Sequence, residues 1–138
     1  MTKQQKIYKE LKNLIKNSYS PYSKFATATI VETDKGFFKG VNVENSSSGA
    51  TVCSERNAIF NAVAFGAKQF KALYCLTSSK RDDIISCGMC LQVMYEFFKT
   101  STPIYFFNVN GKCKKYTLKQ LLPYSFTPTQ LLDKKGKK

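Results

Sequence analysis

Two short clusters carry the residue types that do chemistry: Cys53-Ser54-Glu55 and Cys87-Gly88-Met89-Cys90. The chain has no histidine, so it cannot run a Ser-His or Cys-His nucleophile, and any metal must be held by sulfur or oxygen. Five cysteines are an odd number for a disulfide framework, and the start MTKQQKIYKE lacks the apolar stretch of a secretory signal. Thiols or thiolate ligands in the cytoplasm are therefore expected. Both clusters fall where a helix should begin, and there free N–H groups and the macrodipole stabilise thiolates and other anions. Two such helix starts facing one another can present Cys53, Cys87 and Cys90 to one metal ion. Three thiolates fill three corners of a tetrahedron and leave the fourth for water, which separates a catalytic zinc from a closed structural one. Glu55, close by without being a ligand, is then the proton carrier.

Taken singly, these motifs say less. A Cys-x-x-Cys also suits a redox dithiol or half of a structural zinc knuckle, and Cys-x-Glu alone is weaker still. Together, at successive helix starts, they match the zinc deaminases that use three cysteine ligands and a non-ligand glutamate. Cys75 and Cys113 fall within strand-like segments and are read as packing residues.

The elements that must position these residues follow from periodicity. Ile7, Leu11, Leu14 and Ile15 predict an amphipathic helix over about the first 17 residues. SYSPYS ends it. Two β-rich stretches between Phe25 and Val43 flank Asp34-Lys35-Gly36 and predict a hairpin, followed by the polar loop NVENSSSGAT. A second helix is expected from near Val52 to Gly66 with a stripe of Ile59, Ala62 and Val63, then a buried strand from Phe70 to Thr77. Gly88 to Phe98 has helical spacing through Val93, Met94 and Phe97. Pro103 to Val109 reads as another interior strand, turned at Asn110-Gly111 into a short strand at Cys113 to Tyr116, and Thr117 caps a last helix that ends before Pro123. The order α-β-β-α-β-α-β-β-α predicts an α/β fold with a mixed sheet and helices on its faces.

At 138 residues with 43% hydrophobic and 22% charged residues, the chain has the size and composition of one folded domain. That domain is expected over 1–133, with a lysine-rich tail at 134–138. No apolar run is long enough for a membrane span. The formal charge of +13 raises a nucleic-acid partner, but the lysines are scattered and the aromatics do not interleave with them, so a solvated basic exterior is the preferred reading.

YSPYSKF, NVENSSSG, TVCSERNAIFNAV, CGMCLQV and YTLKQLLPYSFTP follow in the order and spacing of the homotetrameric, three-cysteine cytidine deaminases, and the sequence resembles that family over almost its whole length. The resemblance implies a three-layer α-β-α sandwich with a mixed five-stranded sheet. It implies one zinc ion per chain on Cys53, Cys87 and Cys90, with Glu55 moving a proton from the activated water to the pyrimidine and the leaving amine. By the same resemblance, Asn42 and Glu44 bind the ribose hydroxyls, Phe25 packs against the base, and Arg56 offsets thiolate charge. Phe126 is expected to help close a neighbouring subunit's site. The activity implied is hydrolytic deamination of cytidine and deoxycytidine, with release of ammonia, in cytoplasmic pyrimidine salvage.

Four positions depart from the family pattern. Ser48 stands where a tyrosine is usual, Ser86 where a proline precedes the second ligand, Leu91 where an arginine follows the third, and Ser54 where an alanine separates ligand from glutamate. Two rival readings are weighed: an editing deaminase acting on RNA or single-stranded DNA, and a zinc-stabilised nucleic-acid-binding module. NVEN argues against the first, because a polynucleotide substrate must leave the 3′ side of its sugar open. The second needs a fourth protein ligand, and neither a histidine nor a well-placed cysteine supplies one.

Overall fold

A computed structural model describes residues 1–132. The lysine-rich tail expected at 134–138 lies outside the described residues. The chain forms helix α1 (Lys3–Leu14), strands β1 (Thr27–Thr33) and β2 (Gly36–Val41), α2 (Ser54–Ala64), β3 (Phe70–Thr77), α3 (Gly88–Phe97), β4 (Pro103–Phe107), β5 (Cys113–Thr117), α4 (Leu118–Leu121) and α5 (Pro128–Leu131). The sheet order is β2-β1-β3-β4-β5, with β3 and β4 parallel and every other neighbouring pair antiparallel. The expected mixed five-stranded sheet is therefore present, and α3 provides the crossover that a parallel pair requires.

Strand alternation divides the core in two. Ala28, Ile30, Ala72, Tyr74, Leu76 and Phe107 turn to the face covered by α1, where Ile7 and Leu11 meet them. Val31, Leu73, Cys75, Ile104 and Phe106 turn to the other face and pack with Ala58, Ile59, Met94 and Leu118 of α2, α3 and α4. A sheet buried on both sides by helices is the three-layer sandwich.

Helix α1 starts in a capping box, in which Gln5 N donates to Thr2 Oγ1 and Thr2 N to Gln5 Oε1. A 3₁₀ turn at Ile15–Asn17 extends it to the predicted end. The β1–β2 hairpin turns at Gly36, whose φ of +104° is costly for any residue with a Cβ. Strand β4 stops earlier than expected: Val109 is outside it, and the Asn108 side chain accepts from Asn110 N and Lys112 N to organise a loop over 108–112. Val63 and Phe97, which share the helical spacing of the apolar residues of α2 and α3, are 41% and 36% exposed. Helix α5 was not anticipated. Its signal is nevertheless in the sequence, since Thr127-Pro128-Thr129-Gln130 combines a threonine cap, proline at the first helical position and a glutamine that closes a capping box.

Candidate active site

Helices α2 and α3 both begin at one end of the sheet, with Cys53 and Cys87 in their N-cap positions and neither thiol bonded to its own helix end. Cys90 lies in the first turn of α3. The two helix starts meet because α2 lies directly on the edge strand: a Cβ at Gly40 of β2 would come within 2.4 Å of Ala58 N and 2.7 Å of Ser54 O. Asn57 Nδ2 donates to Val41 O at 2.8 Å and Asn61 Nδ2 to Lys39 O at 3.3 Å, so the helix also covers part of the strand's free edge. Mutual backbone bonds between Val43 and Val52, both 3.0 Å, return the NVEN loop to the start of α2.

This packing collects the three expected ligands. The sulfurs of Cys53, Cys87 and Cys90 all lie within 4.8 Å of one another, with 3.8 Å between Cys53 and Cys87 and 3.5 Å between Cys87 and Cys90. Tetrahedral zinc with Zn–S bonds of about 2.3 Å sets its sulfurs about 3.8 Å apart, so the trio fits the ion. Cys75 and Cys113 stand outside the cluster: Cys75 is buried in the core and Cys113 packs partly buried on the α1 side.

The thiols hold charge unequally. A hydrogen bond from Cys90, followed by one from the Arg56 guanidinium, holds Cys53 down to about 5, while Cys90 is pushed up by the proton it shares with Cys53 and by burial. Arg56 Nη2 approaches Cys53 Sγ at 3.5 Å, and this contact strengthens its hold on its proton. Glu55 is 6% exposed, and burial pushes its carboxyl above the ordinary range. Ser54 Oγ donates to Glu55 Oε1 at 3.1 Å.

A pocket of about 240 Å³ opens beside the thiols, and Phe25, Asn42, Glu44, Cys53, Glu55 and Cys87 are among its walls. Phe25 is 38% exposed there. Asn42 and Glu44 are fixed by the SYSPYSKF segment and the start of β1: Asn42 Nδ2 donates to Phe25 O at 2.8 Å while its Oδ1 accepts from Thr27 N and from Ser18 Oγ. Glu44 Oε1 accepts from Tyr22 N and Ser23 N, and Oε2 from Ser23 Oγ. The Ser23 hydroxyl, ahead of the two backbone donors, lowers the Glu44 carboxyl pKa. Phe126 does not line this pocket; it is 57% exposed, and Gln92 Nε2 holds its carbonyl oxygen at 2.8 Å. Ser48 lies exposed in the 3₁₀ turn Ser48–Ala50.

Thr27, Thr51, Thr77, Ile84, Ile85 and Phe106 also border the pocket and were not singled out from sequence. Thr27 and Thr77 are opposite one another in the β1–β3 register, which only strand pairing reveals. A wider groove of about 700 Å³ lies beside α1, lined by Lys9, Lys12, Lys16 and Lys39 among others. It has no thiol, and its single carboxylate is that of Glu10, which pairs with Lys39.

Residues 1–106 match the family described as the cytidine and deoxycytidylate deaminase zinc-binding region. The chain is 37% identical over 128 residues to a cytidine deaminase of Sporosarcina psychrophila, covering 92% of this chain and 93% of that protein. It is 35% identical over 130 residues to one from Halalkalibacterium halodurans, covering 94% and 98%. The crystal structure of cytidine deaminase from Burkholderia pseudomallei superposes with a TM-score of 0.83 at 33% identity, covering 91% of this chain and all of that one. With the thiol trio in place and both sequence and fold in agreement, the chain belongs to the cytidine and deoxycytidylate deaminase zinc-binding family.

Proposed function

We propose that the protein hydrolyses the 4-amino group of cytidine and deoxycytidine, giving uridine or deoxyuridine and ammonia. The observation that carries this reading is a zinc-compatible thiol trio at a pocket also lined by Glu55, Phe25, Asn42 and Glu44. Zinc, when held by Cys53, Cys87 and Cys90, supplies a Lewis acid that makes water nucleophilic at neutral pH. Glu55 takes one proton from the attacking water, and its desolvated carboxyl is suited to hold that proton before passing it to the ring nitrogen; it then carries the second water proton to the departing amine. The new C4–O bond replaces the C4–N bond, and ammonia leaves. Phe25 offers a face to the pyrimidine. Asn42 uses one Nδ2 hydrogen on Phe25 O and keeps the other for a sugar hydroxyl, beside the acceptor oxygens of Glu44.

The same reading takes in a homotetramer in which Phe126 reaches a neighbour's pocket, a role supported by its exposure and its distance from its own pocket's lining. A cytoplasmic place in pyrimidine salvage suits the nucleoside substrate and a thiolate site that needs a reducing compartment.

The test is ultraviolet assay of the zinc-loaded protein. Cytidine and deoxycytidine should react, and free cytosine poorly, because a site built to bond hydroxyls is left with unpaired polar groups when they are missing. Cys90→Ala should lose zinc. Glu55→Gln should keep zinc and lose about 10²- to 10⁴-fold in turnover. Preference for free cytosine or for an oligonucleotide would overturn the nucleoside reading, and near-normal turnover of Glu55→Gln would overturn the role of Glu55.

A further inference from the structure

Behind Glu55 lies a set of hydroxyls for which the reaction as described has no use. Thr29 of β1 and Cys75 of β3 are opposite one another in the sheet, on the face beneath α2. Thr29 Oγ1 is 2.8 Å from Ser54 Oγ, and both residues are fully buried. A hydroxyl has one hydrogen to give. Because Ser54 gives its hydrogen to Glu55 Oε1, Thr29 is the donor to Ser54, and the order runs from the strand to the carboxylate. Aligned donors of this kind strengthen one another in a buried site.

We propose that Ser54 is a positioning residue for Glu55: backed by Thr29, its hydroxyl holds the carboxylate in place to take a proton from the attacking water. The assignment rests on Glu55 being the proton carrier. The test is Ser54→Ala in the zinc-loaded protein, read by zinc content, Tm, kcat and KM on cytidine.

The variant should keep one zinc per chain and a KM within about twofold, while kcat falls about tenfold, the scale of one hydrogen bond to a charged group. A purely structural role predicts a lower Tm with kcat retained. Combined with Glu55→Gln, the serine change should cost less than about twofold more, because the group being positioned is gone. The pair Thr29→Val with Ser54→Ala removes both buried hydroxyls without orphaning one, and should reproduce the kcat loss of Ser54→Ala alone. Near-normal turnover of Glu55→Gln overturns the underlying reading. A strongly impaired Glu55→Gln with kcat retained in Ser54→Ala, or a serine loss undiminished in the Glu55→Gln background, overturns this proposal alone.

Discussion

Three thiolates outweigh a divalent ion by one charge, so a zinc held by Cys53, Cys87 and Cys90 is a weaker Lewis acid than one held by neutral ligands. Positive charge nearby must compensate. Arg56 supplies it directly, with Nη2 on Cys53 Sγ and a favourable field on Cys90. Leu91, where the resemblance leads to a second arginine, is buried in the core beside Met94 and supplies none. Arg56→Gln is therefore expected to weaken zinc binding about 10- to 100-fold, the usual effect of losing a group that supports a ligand. Chelator competition between pH 6 and 8 checks it. The sign of the pH dependence follows from the thiols: Cys90 holds its proton above the ordinary range in the metal-free site, and zinc must displace it, so affinity should rise with pH in both proteins. Equal affinities of the two proteins would remove Arg56 from the electrostatics of the site.

At the scale of elements, the active site depends on where α2 lies on the sheet. The helix lies so close to β2 that Gly40 has no room for a methyl group, because the atoms it would meet are backbone atoms of α2 and cannot rotate away. Gly40→Ala should displace the start of α2, with an overpacking cost of about 1–3 kcal/mol. Cys53 caps that start and Glu55 lies in its first turn, so both would move with it. Lower Tm together with reduced zinc content is the expected result; a Tm unchanged by the substitution would mean that the helix has slack against the strand. Periodicity showed that β2 and α2 exist, since Ile59 and Ala62 carry a helical stripe. It could not show their closeness, because a glycine in a strand does not name the backbone that approaches it. Helix α5 is a different case: its capping residues were legible, but a four-residue helix has too short an apolar pattern to register by period alone.

At the scale of the molecule, the chain exposes aromatic side chains that its own core does not use. Phe60 and Phe65 are 48% and 69% exposed at α2 and its end, and Phe126 is 57% exposed on the segment that Gln92 ties to α3. A tetramer, as proposed, would give these groups partners. Sedimentation should show a species about four times the mass of the 15.6 kDa chain. Phe126→Ala should leave zinc content unchanged and raise KM for cytidine, because Phe126 would complete a pocket on another chain. A fully active monomer would remove both the assembly and the trans role of Phe126. Among the described residues the basic side chains are spread over more than one part of the surface: Lys9, Lys12, Lys16 and Lys39 border the groove beside α1, while Lys112 and Lys114 pair with Asp82 elsewhere.

Residue chemistry and local pattern were determined by the sequence itself. The absence of histidine, the two cysteine clusters at helix starts and the glutamate beside one of them already implied a sulfur-held metal and a proton carrier, because ligand type and spacing act through chemistry that needs no fold. Strand and helix periods likewise implied the mixed sheet and its covering helices. Tertiary structure alone decided what lies around those groups. Strand register set Thr29 and Cys75 under Ser54, helix packing brought the three sulfurs to tetrahedral spacing, and the SYSPYSKF segment fixed Asn42 and Glu44 by hydrogen bonds over 17 to 24 residues of separation. These are contacts between residues distant in the chain, and their energy depends on geometry that exists only once the sheet and helices have packed.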